Sequence, residues 1–304
     1  MIKYLLLLVA ILIAIFIYFC FRCKENFKNN IPIDAVVTWV NSTDPNWIES
    51  YEYHSGKTFE TDDRWTQDSI LDYPEAEISV CLEMIRKNMP WIRNTYVVTA
   101  YPQYPKCIKN ETVVYHHEIG LGEVFNSHAI ESSLHKINGL SENFVYFNDD
   151  IYVRKPLKPS AFIDDSGKPL LHFKDKENKD TDYWENYLYD LSYKLNLYSI
   201  IPSHVPYSLT ISMLKLVELT FPEEWEYTRN CKFRYNNEIS PIYVAMCLSL
   251  FNQSSIKAYK ELDYLYFDNL PAKFSIDWKL AKEKEILCIN VLDGDKVDLI
   301  DLIY

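Results

Sequence analysis

The segment from Phe144 to Tyr152, FVYFNDDIY, constrains the fold of this chain most strongly. Its aromatic and β-branched residues predict a buried strand that ends at two adjacent carboxylates, Asp149 and Asp150. In open α/β sheets, ligands bind beyond the carboxyl ends of the strands. Two carboxylates placed there can hold a hard divalent cation such as Mg²⁺ or Mn²⁺, which would in turn carry a diphosphate. The alternative is that Asn148-Asp149-Asp150 is only a polar turn between two strands, because short turns rich in Asn and Asp are common.

The composition of the chain argues against several kinds of partner and enzyme. The chain has 304 residues and is 48% hydrophobic, enough for one large domain or two small ones with a real core. Its net charge of -12 argues against nucleic acid as a partner, since binding a phosphate backbone requires a basic surface. A nucleotide bridged by a metal ion remains compatible with that charge. Neither GxGxxG nor GxxxxGK occurs, which argues against a Rossmann dinucleotide enzyme and a P-loop NTPase.

A long apolar segment near the N terminus predicts a membrane anchor. The stretch from Tyr4 to Phe21 contains 18 residues without a charge, near the lower limit for a membrane-spanning helix. The rival interpretation, a cleaved signal peptide, expects a shorter apolar run followed by a small-x-small cleavage site, and no such site follows here. We therefore expect residues 1–30 to form a single-pass anchor and tether, and residues 31–304 to form the folded part. Sequons at Asn110 and Asn252 fit a lumenal, Golgi-like or external location.

The first strand ends in a polar loop. Residues 33–40, IDAVVTWV, have the composition of a buried strand, and the loop that follows contains Asn41 and Asp44. Side chains of this kind after a buried strand are suited to hydrogen bonding a ligand. The alternative is that they form a capping turn into a helix near Trp47.

A helix is predicted from Phe125 to Ile137, and one of its faces is polar. Three side chains share that face at positions i, i+3 and i+7: His128, Glu131 and His135. They could form a metal site, or they could simply be a solvated surface. A third interpretation is that the face lines the same cleft as Asp149 and Asp150, because the helix leads directly into their strand.

Two further residues in the second half of the chain are suited to catalysis. His204 lies between Pro202 and Pro206 in a rigid loop, where it could be a general base or a structural histidine. Arg234 lies among aromatic residues in the segment CKFRYNNEI. A final strand is predicted at residues 285–290.

In this order, these segments resemble the four conserved regions of the Stealth family. That family comprises the hexose-1-phosphate transferases of bacterial capsule synthesis and the catalytic subunit of the lysosomal GlcNAc-1-phosphotransferase. The matching segments are Ile33 to Trp47, Glu77 to Ala100 continued by Phe125 to Val153, His204 to Ile239, and Leu287 to Asn290. The run FNSHAIESSLHKINGLSENFVYFNDD is the most specific of them.

The resemblance implies a fold and an activity. The fold would be a single α/β domain, Rossmann-like and similar to nucleotide-sugar transferases, with the transmembrane helix before it. The enzyme would move a sugar-1-phosphate from a nucleotide-diphosphate sugar, such as UDP-GlcNAc, to a hydroxyl of an acceptor glycan, and release the nucleoside monophosphate. Two alternatives remain: a metal-dependent glycosyltransferase that releases the nucleoside diphosphate, and a non-catalytic glycan-binding module.

The resemblance also implies roles for individual residues. Asp149 and Asp150 match the family's carboxylates for the metal, Mg²⁺ or Mn²⁺, and the donor phosphate. Asp150 counts as catalytic together with Glu131, a functionally important glutamate, His204, a candidate base, and Arg234, which is suited to phosphate. The positions expected to contact the donor are Asn41, Asp44, Ser127 and Asn290.

The chain departs from the family pattern at two places. The second region of the family usually reads ELRYSLRSI, but the two arginine positions are here Ser79 and Glu83. Arg64 or Arg86 could supply the missing contact. The fourth region usually reads CxND, but here Asn290 is followed by Val291.

Overall fold

The computed structural model describes residues 31–58, 75–174, 183–235, 237–258, 262–268 and 283–290. The predicted anchor at residues 4–21 lies outside these ranges, as do Arg64 and Val291. Within the described ranges, no helix is both long enough and apolar enough to cross a membrane.

The centre of the fold is a five-stranded sheet in the order β3-β2-β1-β4-β7. Strand β1 pairs in parallel with β2 and β4, β2 pairs in parallel with β3, and β7 is an antiparallel edge beside β4. The bounds of these strands are Ile33–Thr38 for β1, Thr95–Thr99 for β2, Thr112–Tyr115 for β3, Asn143–Asn148 for β4 and Tyr207–Thr210 for β7. The predicted α/β class is confirmed, with a central sheet that is mostly parallel.

Helices cover both faces of this sheet, which explains why its strands are apolar on both sides. In β1, Ala35 and Val37 pack in one core with helix α2 (Ala76–Asn88), whereas Val36 packs in a second core with α5 (Ile211–Thr220) and α7 (Pro241–Phe251). The helices are α1 (Pro45–Ser55), α2 (Ala76–Asn88), α3 (Ser127–Glu131), α4 (Tyr183–Lys194), α5 (Ile211–Thr220), α6 (Pro222–Asn230) and α7 (Pro241–Phe251).

One charged residue is fully buried at the start of β1. Asp34 accepts hydrogen bonds from the Arg93 guanidinium at 2.9 and 2.7 Å and from the backbone N–H groups of Asn94 and Ser141 at 3.1 and 2.7 Å. Burial alone would raise the pKa of Asp34, but these hydrogen bonds lower it below its usual value. The carboxylate ties the segments before β2 and β4 to β1 and so fixes how these strands align.

The helix predicted from Phe125 to Ile137 is wrong in its length. Helix α3 ends at Glu131, and a separate 3₁₀ turn spans Leu134–Lys136. The Ser132 hydroxyl donates to the carbonyl of Ala129 at 2.7 Å, and such bonds from serine compete with the helical ladder.

A second sheet continues from the first. Strand β5 (Ile151–Val153) follows β4 after two residues and pairs in antiparallel fashion with β10 (Ile286–Asn290), which pairs in parallel with β9 (Tyr264–Asp268). Strands β6 (Leu170–Leu171) and β8 (Ile256–Lys257) form a small parallel pair. The register places Cys288 opposite Ile151, so β10 flanks the carboxylates that precede β5.

Candidate active site

Asp149 and Asp150 form the turn at the carboxyl end of β4, as predicted, and β5 begins directly after them. Both side chains are partly buried. The backbone carbonyl of Asp150 accepts the N–H of Ile289 at 3.0 Å, and the Cys288 thiol lies 3.7 Å from one carboxylate oxygen of Asp150. The other oxygen, Oδ1, is buried without a hydrogen-bond partner among the described residues. The two carboxylates therefore lie at a turn, and one of their oxygens remains available to a ligand.

The pKa values of this pair are raised. Burial is the main cause for Asp149, whose pKa lies well above its usual value, with added repulsion from Glu77 and Asp150. Burial also raises the pKa of Asp150 to about 6, although the Cys288 thiol opposes the shift. A partly buried recess lined by like charges favours the binding of a cation, because the cation would remove the cost of ionising the carboxylates there.

Glu77, in the first turn of α2, joins this group, although it is not among the predicted site residues. The Asn88 side chain donates to the carbonyl of Val153 at 2.6 Å and so holds the end of α2 beside the end of β5. Glu77 lies eleven residues before Asn88, about 16 Å back along the helix. Asp150 lies three residues before Val153, about 10 Å back along the strand. Glu77 therefore approaches Asp150, and burial together with the Asp150 charge raises the pKa of Glu77 to about 7. Its place as the first residue of the ELRYSLRSI pattern could have indicated it.

Among the described residues, no three His, Cys, Asp or Glu side chains are arranged to hold a metal ion by themselves. A cation at Asp149 and Asp150 would complete its coordination with phosphate oxygens or water, as Mg²⁺ commonly does.

Strand β7 brings His204 to the same edge of the sheet. Because β7 is antiparallel to β4 with Tyr207 opposite Tyr146, it begins where β4 ends. His204 precedes Tyr207 by three residues and so lies toward Asp149. Its ring, partly buried, stacks on Tyr266 of β9 with centroids 4.0 Å apart.

Glu131 is buried at the end of α3 and faces this same region. Burial raises its pKa, and the charges of His128 and Arg234 oppose that shift. The Tyr207 hydroxyl experiences the charges of both Glu131 and Asp150, which add to burial in raising its pKa. Tyr207 therefore connects the α3 part of the site with the carboxylates after β4.

Arg234 and Ser127 are in direct contact. The exposed guanidinium of Arg234 donates to the Ser127 hydroxyl at 2.5 Å. Ser127 begins α3 and Glu131 ends it, so one short helix carries both residues. The structure thus brings together three of the predicted positions.

His128 and His135 point away from any common centre with Glu131. His128 Nδ1 shares a hydrogen bond of 2.8 Å with Glu238, whereas His135 Nε2 lies 3.2 Å from Glu218 on α5. A three-residue metal site is therefore wrong. A solvated polar face is also wrong, because all three side chains are buried. Of the three, Glu131 is the one whose charge acts on Tyr207.

Asn41 and Asp44 both stabilise the loop after β1. Asn41 Oδ1 accepts the N–H and hydroxyl of Thr43 at 3.0 and 2.8 Å. Asp44 Oδ1 caps α1 by accepting the N–H of Asn46 at 3.0 Å, and its Oδ2 lies 3.3 Å from the Gln103 amide. The capping alternative is thus correct for Asp44, although Asp44 also lines a pocket.

That pocket has a volume of about 440 Å³ and lies beyond the carboxyl ends of β1, β2 and β3. Asp44 and Trp47 line it from the start of α1, Tyr101 and Gln103 from the loop after β2, and His116 from the turn after β3. His116 is buried, its Nε2 has no hydrogen-bond partner among the described residues, and burial lowers its pKa to about 4. The imidazole is therefore neutral at neutral pH.

Aromatic rings form one side of the pocket. Tyr101 is 70% exposed and packs edge-on against Tyr115 and His117, whose own rings are stacked with centroids 5.8 Å apart. Such rings suit a planar ligand. Asn290, the remaining predicted donor contact, ends β10 opposite Asp268, and its side chain lies outside the described part.

Comparisons with solved structures give only distant likenesses. An LgtC crystal structure covers 84% of this chain and 86% of its own at 11% identity, with a TM-score of 0.45. A glucosyl-3-phosphoglycerate synthase from Mycobacterium tuberculosis, in complex with Mn²⁺, UDP and phosphoglyceric acid, covers 79% of this chain and 84% of its own at 10% identity, with a TM-score of 0.39.

Sequence comparisons find relatives with higher identity to this chain. A capsular polysaccharide phosphotransferase of Haemophilus influenzae is 30% identical over 290 residues, which cover 86% of this chain and 78% of that protein. A capsular polysaccharide phosphotransferase of Neisseria meningitidis serogroup B is 36% identical over 162 residues, 50% of this chain and 43% of that protein. An exopolysaccharide phosphotransferase of Streptomyces coelicolor is 30% identical over 243 residues, 73% of this chain and 44% of that protein. The chain thus spans less than half the length of the last two relatives.

Three family models describe the same relationship. Conserved region 1 of the Stealth proteins matches residues 32–58, region 2 matches residues 73–171 and region 3 matches residues 203–246. The relatives' names support an enzyme that transfers a phosphate-containing group, with sugar-phosphate transfer at a general level. The chain belongs to the Stealth family.

Proposed function

We propose that the chain transfers a sugar-1-phosphate from a nucleotide-diphosphate sugar, such as UDP-GlcNAc, to a hydroxyl of an acceptor glycan. The supporting observation is that Asp149 and Asp150 form the turn at the carboxyl end of β4, beside the start of the antiparallel strand β7 at Tyr207. Residues from conserved regions 2 and 3 thus converge at the end of β4. Such a group can hold the phosphate between a donor and an acceptor.

The nucleoside of the donor binds in the pocket beyond β1, β2 and β3. Its base stacks on Tyr101 and its polar edge meets His116, which lines the same pocket. Strand β2 lies two strands away from β4, which corresponds to about 10 Å across the sheet. A ribose and a diphosphate can cover that span, which places the diphosphate beside Asp149 and Asp150.

Asp149 and Asp150 are the residues that would hold Mg²⁺ or Mn²⁺. The fit rests on the buried Oδ1 of Asp150, which has no hydrogen-bond partner among the described residues, and on carboxylate oxygens being the ligands these ions prefer. A bound cation would neutralise the diphosphate charge and stabilise the departing monophosphate.

The remaining residues bind and orient the two substrates. Arg234 donates hydrogen bonds to the oxygens of the transferred phosphate, as guanidinium groups commonly do. Glu131 accepts a hydrogen bond from the acceptor and orients the attacking hydroxyl. Such positioning and charge neutralisation are the main contributions that a protein makes to phosphoryl transfer.

His204 removes the proton from the acceptor hydroxyl, a task for which an imidazole is suited near neutral pH. The hydroxyl oxygen forms a bond to the phosphorus that carries the sugar. The bond from that phosphorus to the bridging oxygen breaks, and the nucleoside monophosphate leaves with the electron pair. The product is a sugar-phosphate-sugar diester, and the proton remains on His204.

The nucleotide product tests this proposal. The full chain is incubated with UDP-GlcNAc, Mg²⁺ or Mn²⁺ and a panel of acceptor glycans, and UMP is separated from UDP. We expect UMP that depends on acceptor. UDP would mean attack on the anomeric carbon and would overturn sugar-1-phosphate transfer, and donor binding without either product would indicate a glycan-binding module.

We also propose that residues 4–21 anchor the protein in a membrane, with residues 31–304 on the lumenal or external side. The support is the uncharged run in the sequence. The full chain should then remain with membranes after an alkaline carbonate wash, whereas a chain starting at residue 31 should be released. Release of the full chain would refute the anchor.

A further inference from the structure

We propose that Glu238 is a positioning residue of this active site, which holds helix α3 so that Glu131 and the Ser127–Arg234 contact face the substrates. The inference rests on the proposed function. Glu238 lies in the segment before α7 and takes no part in the reaction steps described above.

Glu238 is a buried carboxylate with both oxygens engaged. It is 3% exposed. Oε2 accepts a hydrogen bond from the Asn126 amide at 2.6 Å, and Oε1 shares one of 2.8 Å with His128 Nδ1. Asn126 and His128 are buried as well, so these hydrogen bonds lie in a low-dielectric environment, where each is stronger than it would be in water.

Both partners of Glu238 belong to the start of α3. The Asn126 side chain caps this helix by accepting the N–H of His128 at 3.0 Å. Its amide also approaches the carbonyls of Cys231 and Phe233 at 3.4 and 3.3 Å. One asparagine thus joins the helix that carries Glu131 to the segment that carries Arg234, and Glu238 fixes the orientation of that asparagine.

Helix α3 cannot hold itself in place. It has five residues, and helices this short are not stable without tertiary contacts. Ser127 begins it and contacts Arg234, and Glu131 ends it one turn later. A shift at its start therefore moves both active-site residues together.

The charge of Glu238 acts on Glu131 in addition. It contributes to raising the pKa of Glu131, whereas His128 and Arg234 lower that pKa. The Glu238 backbone carbonyl accepts the Tyr187 hydroxyl at 3.1 Å, which attaches the same segment to α4. Glu238 thereby affects both the position and the charge environment of Glu131.

The test compares two glutamate–histidine pairs in the full chain, a buried one at Glu238 and a partly exposed one at Glu218. Glu238→Gln removes the charge beside His128, and Glu218→Gln removes the matching charge beside His135, whose pair lies outside the site. We expect Glu238→Gln to lower kcat about 100-fold, the scale of a 1 Å misplacement. It should raise the KM for the acceptor and the KM for UDP-GlcNAc several-fold, because Glu131 orients the acceptor and the Ser127–Arg234 contact lies at the donor phosphate. Glu218→Gln should change none of these constants.

The KM values separate positioning from a loss of folded protein, because a smaller folded fraction alters neither KM. If Glu238→Gln unfolds, Glu238→Asp keeps the charge with a shorter side chain and should show the same pattern with a smaller loss of kcat. Provided that the wild type forms UMP, a folded Glu238→Gln variant with wild-type kcat and acceptor KM would overturn the inference.

Hydrogen exchange gives a readout that does not depend on activity. The amides of Ser127–Glu131 should exchange faster in Glu238→Gln than in the wild type or in Glu218→Gln. If the wild type forms no UMP, the proposed function fails, and this exchange still decides whether Glu238 fixes α3. Unchanged exchange would refute the positioning role.

Discussion

Replacing Asp150 with asparagine should abolish transfer and, without a divalent cation, make the protein more stable. The pKa of Asp150 rises from its ordinary 3.8 to about 6 on folding, so the folded state binds its proton more tightly than the unfolded state does. The stability this provides is present below pH 3.8 and is lost as the pH rises through 6. At about 1.4 kcal/mol per pH unit, the loss approaches ~3 kcal/mol at pH 7.5.

Asparagine does not ionise and avoids that cost. Because Asp150 is partly exposed, we expect a gain of about 1–3 kcal/mol in the free energy of unfolding at pH 7.5 in EDTA, which corresponds to a Tm higher by about 2–10 °C. Mn²⁺ at 100 times its Kd should stabilise the wild type by about 2.7 kcal/mol and the variant very little. Differential scanning calorimetry with EDTA or Mn²⁺ measures both effects.

Asp34→Asn is the matched control, because the same change should have the opposite sign there. Hydrogen bonds lower the pKa of Asp34, so its charge stabilises the fold above its unfolded pKa, and that stability is lost as the pH falls through its folded pKa. The control should lose about 2–4 kcal/mol at pH 7.5. An Asp150→Asn protein less stable than wild type in EDTA, or one that still forms UMP, would refute the reasoning.

Three further substitutions test the rest of the site. His204→Ala should lower kcat by about 10²–10⁴-fold while UDP-GlcNAc still binds, and near-normal turnover would remove its role as base. Tyr101→Ala should raise the Kd for UDP by about 10-fold or more, because stacking on a base contributes about 1–3 kcal/mol, and calorimetric titration would show it. Between pH 6.5 and 4, the unfolded wild type binds a proton at His116 that the folded protein does not bind, so the free energy of unfolding falls by about 3 kcal/mol. His116→Asn should remove this part of the pH dependence. The exposed His117→Asn is its control, and an unchanged slope in the His116 variant would contradict the assignment.

The strands could be predicted from sequence because their patterns are local. The segments of β1, β2 and β4 are short runs of β-branched and aromatic residues, and each forms a strand with nearly the predicted bounds. The length of α3 could not be predicted, since its apolar spacing continues to Ile137 while the Ser132 hydroxyl forms a competing bond.

The site was predictable only where a motif carried it. Asp149, Asp150, Glu131 and Arg234 follow from motif positions, and Arg234 contacts Ser127 on the helix that carries Glu131. Glu77 acquires its surroundings from β5, more than 60 residues along the chain, and periodicity within α2 does not show this. The Glu238–His128 pair spans 110 residues and has no local signature.

The second sheet also determines when the site can form during synthesis. Strand β10 lies between β5 and β9, and its Cys288 flanks Asp150 across 138 residues of sequence. Contacts so distant along the chain form late, and a nascent chain folds its N-terminal parts first. A chain still on the ribosome therefore has the pocket beyond β1 and β2 before it has the recess around Asp150. The recess around Asp150 is therefore complete only after β10, the last of the described strands, has been added.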